Sequence, residues 1–178
     1  ITMNYALLLK TLKKYDEAGH QFERVLAMQP KGKYAADAAY YAMYNYYMHV
    51  DLGSGIVKNQ EDAEGLGPQT LPENAARMIT ACERYLSLAG PRGENVPEAS
   101  YAAGKLYYEY NHYDPAITLF ESVVQNFPKH ANAPGAAKLL LRSLNLKHDF
   151  EALEAWAVRL AGTPLGTGDI QDMFPRIR

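Results

Sequence analysis

A repeated segment constrains this chain more than any other feature of its sequence. Residues 15–30 and residues 113–128 align without a gap at a constant offset of 98 residues. The residues that recur are Tyr15, Asp16, Ala18, Phe22, Glu23, Val25 and Pro30, which match Tyr113, Asp114, Ala116, Phe120, Glu121, Val123 and Pro128. A copy at a fixed period is typical of repeat architectures, in which each unit buries its apolar face against the next unit.

Two weaker copies complete the pattern. The segment 82–86 echoes 22–26 at a distance of 60 residues, and Phe120 follows Cys82 by 38 residues. If about 38 residues is the basic spacing, the first interval carries roughly 22 extra residues, which is the length of the segment 51–72. Glycines, prolines and polar residues dominate this segment, so we expect a loop insertion in the second repeat. The fourth copy is marked by Phe150, Leu153, Ala157 and Pro164.

Each copy follows a second stretch with helical periodicity. These stretches cover residues of about 2–12, 34–50, 98–111 and 133–147, and their apolar and small residues recur every three to four positions. No segment shows the period-two alternation of a strand. The sequence therefore predicts an all-α protein, an α-solenoid of about four antiparallel helix pairs. The repeats fall at about 1–30, 33–90, 98–128 and 132–161, which make one domain (1–161), and a tail follows (162–178).

The pattern within each pair resembles the tetratricopeptide repeat (TPR) family. That family has small residues where the first helix crosses the second, matched here by Ala6, Ala42, Ala103, Gly104 and Ala136. Its second helix opens with an aromatic residue, followed by Ala, a second aromatic and a closing Pro. Tyr15, Ala18, Phe22 and Pro30 and their copy match that order. The resemblance implies a superhelix of helix pairs that binds proteins or peptides.

The linkers add a narrower resemblance. Residues 30–38 and 127–133 are similar to linkers in tetratricopeptide proteins of the Gram-negative envelope, such as outer-membrane assembly lipoproteins and cell-division coordinators. This resemblance implies a bacterial protein that is periplasmic or envelope-associated rather than cytoplasmic. Helical pattern begins close to Ile1, so we also expect further repeats or domains upstream.

Composition excludes several classes of function. The 178 residues carry a net charge of −2, so bulk charge does not favour binding of nucleic acid. Apolar runs are too short for a transmembrane helix. One cysteine, Cys82, excludes a disulfide framework, and its place in the repeat predicts a buried apolar side chain. The chain contains 14 tyrosines against five phenylalanines, an excess that favours contact surfaces for proteins.

The family's groove-facing spacing, projected onto the first helices, selects the candidate binding residues. We expect a concave surface with a tyrosine wall that runs into a basic end. The residues are Tyr40, Tyr44, Tyr47, Tyr101, Lys105, Tyr108, Lys138, Arg142 and Asn145, with Met3, Leu7, Lys10 and Glu109 on the same face. Tyrosine suits peptide recognition, and the basic pair on one helix face can hold a carboxylate. The alternative is that several of these tyrosines pack between helices.

No catalytic residue, metal site or cofactor is predicted. His49 with Asp51, His112 with Asp114 and His148 with Asp149 resemble catalytic or metal pairs only in isolation, because convergent ligand spacing is absent. The acidic residues Glu61, Asp62 and Glu64 do not have the spacing of a calcium loop. The insertion 51–72 has two interpretations, a solvated loop or a partner-specific flap beside the groove.

Three functions follow from these observations. The first is a non-catalytic scaffold that binds a peptide or partner protein in the concave groove, within a bacterial envelope complex. The second is a structural module that stacks with further repeats or with copies of itself. The third is a regulatory domain attached to an enzyme outside this chain.

Overall fold

Helices account for the regular structure of the described residues. The computed structural model describes residues 3–54 and 67–166, and no strand occurs in these two ranges. The eight α-helices within them are α1 (Met3–Thr11), α2 (Tyr15–Met28), α3 (Ala35–Ser54), α4 (Glu73–Ala89), α5 (Val96–Glu109), α6 (Tyr113–Asn126), α7 (Ala133–Leu146) and α8 (Phe150–Ala161). A 3-10 turn, Pro164–Gly166, follows α8. The predicted all-α class is confirmed.

Prolines and the insertion set the helix ends. α2 and α6 each end two residues before a proline, at Met28 and Asn126, because proline disfavours helical conformation in the residue before it. α3 runs to Ser54, so the helix extends four residues into the segment expected to be a loop. Residues 55–66 of the insertion and residues 167–178 of the tail lie outside the described residues.

The same turn joins the two helices of three repeats. Lys13, Asn111 and His148 each adopt a left-handed backbone conformation, with φ of 57°, 62° and 59°. In each turn the next amide donates to a carbonyl five residues earlier, which closes the end of the first helix. These bonds are Lys14 N to Leu9 O, His112 N to Tyr107 O and Asp149 N to Leu144 O, at 3.0, 2.9 and 3.0 Å. The turns therefore fix the register of the repeats independently of the sequence match.

The helices form two compact units. The first unit comprises residues 1–58 and 70–102, and in it α2 packs against α1 and α3, and α3 packs against α4. The second comprises residues 59–69 and 103–178, and in it α7 packs against α6 and α8, with the 3-10 turn on α8. Within each unit, consecutive helices pack against each other, which is an α-solenoid-like arrangement.

Small residues occupy the helix crossings, as predicted. Ala6, Ala42, Ala103 and Ala136 are all buried. A Cβ at Gly104 would lie 2.8 Å from the ring of Phe120, so only glycine lets this ring approach α5. Gly19 on α2 likewise lets the ring of Tyr46 on α3 approach closely, since a Cβ at Gly19 would lie 2.5 Å from that ring.

Candidate functional site

The four candidate tyrosines of the first unit have partly accessible side chains. Tyr40, Tyr44 and Tyr47 on α3 and Tyr101 on α5 are all half-buried. Half-burial fits both earlier interpretations, a binding surface and packing between helices. The contacts of these rings decide which of them form a common surface.

Three tyrosines and one lysine form a continuous patch, which we call the tyrosine surface: Lys10, Tyr40, Tyr41 and Tyr44. The ring of Tyr40 lies 5.7 Å from that of Tyr41 and 6.3 Å from that of Tyr44. The ammonium group of Lys10, on α1, lies 4.6 Å from the ring centre of Tyr41 and 5.1 Å from that of Tyr44. The patch therefore joins two first helices, as the repeat spacing predicts, and adds Tyr41 to the set.

The tyrosine surface rests on a packed base. The ring of Tyr40 lies 5.4 Å from the ring of Tyr85 of α4, tilted by 56°. Tyr85 is buried, and its hydroxyl accepts a hydrogen bond from the amide of Asn95 at 3.1 Å. Tyr41 stacks against Phe22 at 5.2 Å. Burial, with a smaller contribution from the charge of Glu98, raises the pKa of Tyr40 above its ordinary value. Its phenol is therefore neutral near pH 7 and available as a hydrogen-bond donor.

The five predicted binding residues of the second unit differ in the solvent exposure of their side chains. Arg142 and Asn145 on α7 are exposed, and Lys105 and Lys138 are half-buried. Lys105 lies 3.9 Å from Glu109, one turn further along α5. The arrangement leaves basic groups of α7 in contact with solvent, where they can meet a carboxylate.

Tyr108 requires a correction. We expected its ring on the binding surface, but its side chain is only 3% exposed. Its ring packs 6.0 Å from that of Tyr113, and burial raises the pKa of its phenol. Tyr108 therefore belongs to the core of the second unit, and we remove it from the candidate site.

A second group of polar residues in the first unit was not predicted, and we call it the α2–α4 polar cluster: Asp16, His20, Glu23, Tyr46 and Arg77. Tyr46 donates to Glu23 Oε2 at 2.9 Å and lies 3.2 Å from His20 Nδ1. Arg77 Nη1 lies 3.1 Å from His20 Nε2 and 3.3 Å from Asp16 Oδ1. These contacts connect three helices around a phenol that is 1% exposed.

Helical spacing offers a signal for this cluster. Asp16, His20 and Glu23 recur at four and three residues on one face of α2. Glu73 and Arg77 are four apart on α4, and their side chains pair at 2.7 Å. The missing information was the contact between the helices, since Asp16 and Arg77 are 61 residues apart.

The end of the insertion is held by the second unit. The amide of Gln69 donates to the carbonyl of Tyr110 at 2.9 Å, and His112 Nε2 lies 2.7 Å from the carbonyl of Gln69. Asn111 Nδ2 donates to the carbonyl of Gly67 at 3.4 Å. This segment therefore docks on the turn between α5 and α6. The expectation of a partner-specific flap falls largely on residues 55–66, outside the described residues.

Cys82 is a buried thiol, as predicted. Its Sγ donates to the carbonyl of Ala99 at 3.2 Å, and burial raises the pKa of the thiol to about 12. Within residues 3–54 and 67–166, side chains of His, Cys, Asp and Glu form no group of three or more able to hold a metal ion. In the same part of the chain, no helix has the length and apolar character needed to cross a membrane.

Comparisons with known proteins do not assign the chain to a family. No protein-family model matches the chain. No curated protein matches it significantly. The fold therefore defines an all-α, repeat-like class of protein, and membership of the tetratricopeptide family stays a prediction from sequence.

Proposed function

We propose that the chain is a non-catalytic interaction module that binds a peptide or a partner protein through the tyrosine surface. The observation that supports this proposal is the placement of Lys10 over the rings of Tyr41 and Tyr44, beside Tyr40. Three neighbouring aromatic rings on rigid helices offer a large contact area at a small cost in side-chain entropy.

The chemistry of the surface indicates what it binds. Apolar or aromatic side chains of a peptide stack on the tyrosine rings, while the phenols bind its backbone carbonyls. The Lys10 ammonium provides a positive charge for an acidic residue. Tyr47 and Tyr101 extend this proposed surface in the first unit.

The basic residues of the second unit contribute a separate proposed contact. Lys138 and Arg142 are four residues apart on α7, so they share one helix face. With Lys105 and Asn145 they form a set of donors for acidic side chains or a terminal carboxylate. A role within an assembly of the bacterial envelope is part of the proposal and rests on the linker resemblance.

A peptide library displayed on phage and selected against the 178-residue chain tests this function. Enriched peptides should bind the wild-type chain and bind Tyr44→Ala much more weakly. The matched control is Tyr34→Ala, because Tyr34 is an exposed tyrosine that also carries a lysine, Lys33, 5.3 Å from its ring centre. Equal binding to Tyr44→Ala and Tyr34→Ala would contradict the proposal.

A further inference from the structure

His20 lies in the α2–α4 polar cluster beside a residue that can only donate hydrogen bonds. Its Nδ1 is 3.2 Å from the hydroxyl oxygen of Tyr46, and its Nε2 is 3.1 Å from Arg77 Nη1. A guanidinium group has no acceptor atom, so the contact with Arg77 is favourable only while Nε2 keeps its lone pair. The geometry is therefore that of a neutral imidazole.

An alternative partner for Nε2 lies close by on the same helix. Asp16 Oδ2 is 3.8 Å from His20 Nε2, one turn earlier on α2. The other oxygen of this carboxylate, Oδ1, accepts from Arg77 Nη1 at 3.3 Å. Asp16 thus lies beside both the imidazole and the guanidinium group, and a movement of less than about 1 Å brings His20 Nε2 into hydrogen-bond range of Oδ2.

The charges around His20 leave a net negative charge while its ring is neutral. Within the described part of the chain, three carboxylates and two guanidinium groups form the ion pairs of this region: Asp16, Glu23 and Glu73 with Arg77 and Arg84. From α3 the phenol of Tyr46 faces the imidazole. The ammonium group of Lys10, on α1, lies over the tyrosine surface instead. A proton on His20 therefore balances the charge of the region.

We propose that the α2–α4 polar cluster is a pH-sensitive switch, in which protonation of His20 transfers its Nε2 from Arg77 to Asp16. A proton on Nε2 places two donors 3.1 Å apart, so the contact with Arg77 opens. The Nε2–H group then donates to Asp16 within α2, and Arg77 keeps its pair with Glu73 at 2.7 Å within α4. The link from α4 to α2 weakens at acidic pH, because Arg77 then shares Asp16 with a second cation.

The switch changes one contact between neighbouring helix pairs and leaves another in place. Tyr46 donates to Glu23 at 2.9 Å whether His20 is neutral or charged, so α3 stays bonded to α2. The Arg77 link alone depends on the protonation of His20. Since the stability of a repeat protein depends on the contacts between neighbouring units, the switch adjusts the first unit locally without unfolding it.

NMR of the 178-residue chain tests the switch by titration between about pH 8 and pH 5, the range in which histidines generally change charge. The nitrogen-15 resonance of Arg77 Nε should shift with the same midpoint as the ring protons of His20. In His20→Gln the amide oxygen can accept in place of Nε2 but takes up no proton, so the Arg77 resonance should stay constant. His148→Gln is the matched control, because His148 is an exposed histidine outside the cluster, and Arg77 should titrate in it as in wild type.

Three results would overturn the proposal. The Arg77 resonance stays constant while His20 titrates, or the ring protons of His20 do not shift over this range. In the third, the Arg77 resonance shifts equally in His20→Gln, which assigns the change to one of the carboxylates. The comparison of the two midpoints within the wild-type chain keeps the test valid even where His20→Gln loses its helices, which circular dichroism checks.

Discussion

The hydroxyl of Tyr46 donates a hydrogen bond to Glu23 Oε2 across 2.9 Å, from a side chain that is otherwise enclosed. Tyr46 lies on α3 and Glu23 on α2, so this bond joins two repeats. Burial of the ring and, more weakly, the charge of the Glu23 carboxylate raise the pKa of the phenol. Tyr46 therefore anchors the α2–α4 polar cluster as a neutral donor.

Removal of this hydroxyl should destabilise the first unit. Tyr46→Phe keeps the ring against Gly19 but leaves Glu23 and His20 without their shared partner. We expect a loss of about 1 kcal/mol in the free energy of unfolding, because Glu23 can recover part of its hydration. Urea unfolding followed by circular dichroism measures the change. Tyr5→Phe, at an exposed position, is the control and should leave the midpoint unchanged.

The cluster also fixes the tautomer of His20. The hydroxyl of Tyr46 donates its hydrogen bond to Glu23, so we expect His20 Nδ1, 3.2 Å from the phenol oxygen, to donate to that oxygen. Arg77 can only donate, so His20 Nε2, 3.1 Å away, must accept. We expect neutral His20 to carry its proton on Nδ1. Nitrogen-15 chemical shifts of the imidazole measure this directly, and a proton on Nε2 would show that the cluster is arranged differently.

The burial of Cys82 predicts a low reactivity of its thiol and a pH dependence of the chain's stability. The folded thiol has a pKa of about 12 against an ordinary value of 9.0. Its contribution to stability is therefore complete below about pH 9 and falls as pH rises from 9 toward 12, because only the unfolded thiol ionises there. The wild-type chain should lose stability relative to Cys82→Ala across this window, as measured by urea titration.

Thiol labelling provides the independent check on Cys82. At pH 8 a thiol reagent should modify the unfolded chain in urea and leave the folded chain essentially unlabelled. Labelling of the folded chain at the rate of a free thiol would contradict the buried position.

A larger side chain at a buried helix crossing should reduce the free energy of unfolding, because the crossing has no free space for it. Ala116 is fully buried on α6, so Ala116→Leu should reduce the free energy of unfolding by about 1–3 kcal/mol. Ala155→Leu is the matched control, because Ala155 is an exposed residue of α8. Equal midpoints for the two variants in thermal unfolding would mean that the crossing at Ala116 tolerates a larger side chain.

The sequence predicted the helices well because their signals are local and repeated. Periodicity located the helix pairs, Pro30 and Pro128 marked the ends of α2 and α6, and the alanines and Gly104 marked the crossings. The predicted end of α3 was wrong by four residues, because the helix continues through Gly53, a residue type that usually indicates a loop.

The candidate site was harder to predict because it depends on contacts between helices. Spacing selected Tyr40 and Tyr44 but missed Tyr41, whose ring is placed by Lys10 of another helix. Tyr108 sits at the equivalent spacing to Lys10, yet its ring turns into the core beside Tyr113. Residues at one repeat position thus take different roles according to the contacts that neighbouring helices provide, which a single sequence does not specify.

The central claim is that the tyrosine surface binds a peptide, and calorimetric titration tests it most directly. A peptide selected against the chain is titrated into wild type, Tyr44→Ala and Tyr34→Ala. We expect wild type and Tyr34→Ala to bind alike and Tyr44→Ala to lose at least about tenfold in affinity, equivalent to ~1.4 kcal/mol. Unchanged affinity in Tyr44→Ala, with its helices intact, would contradict the claim.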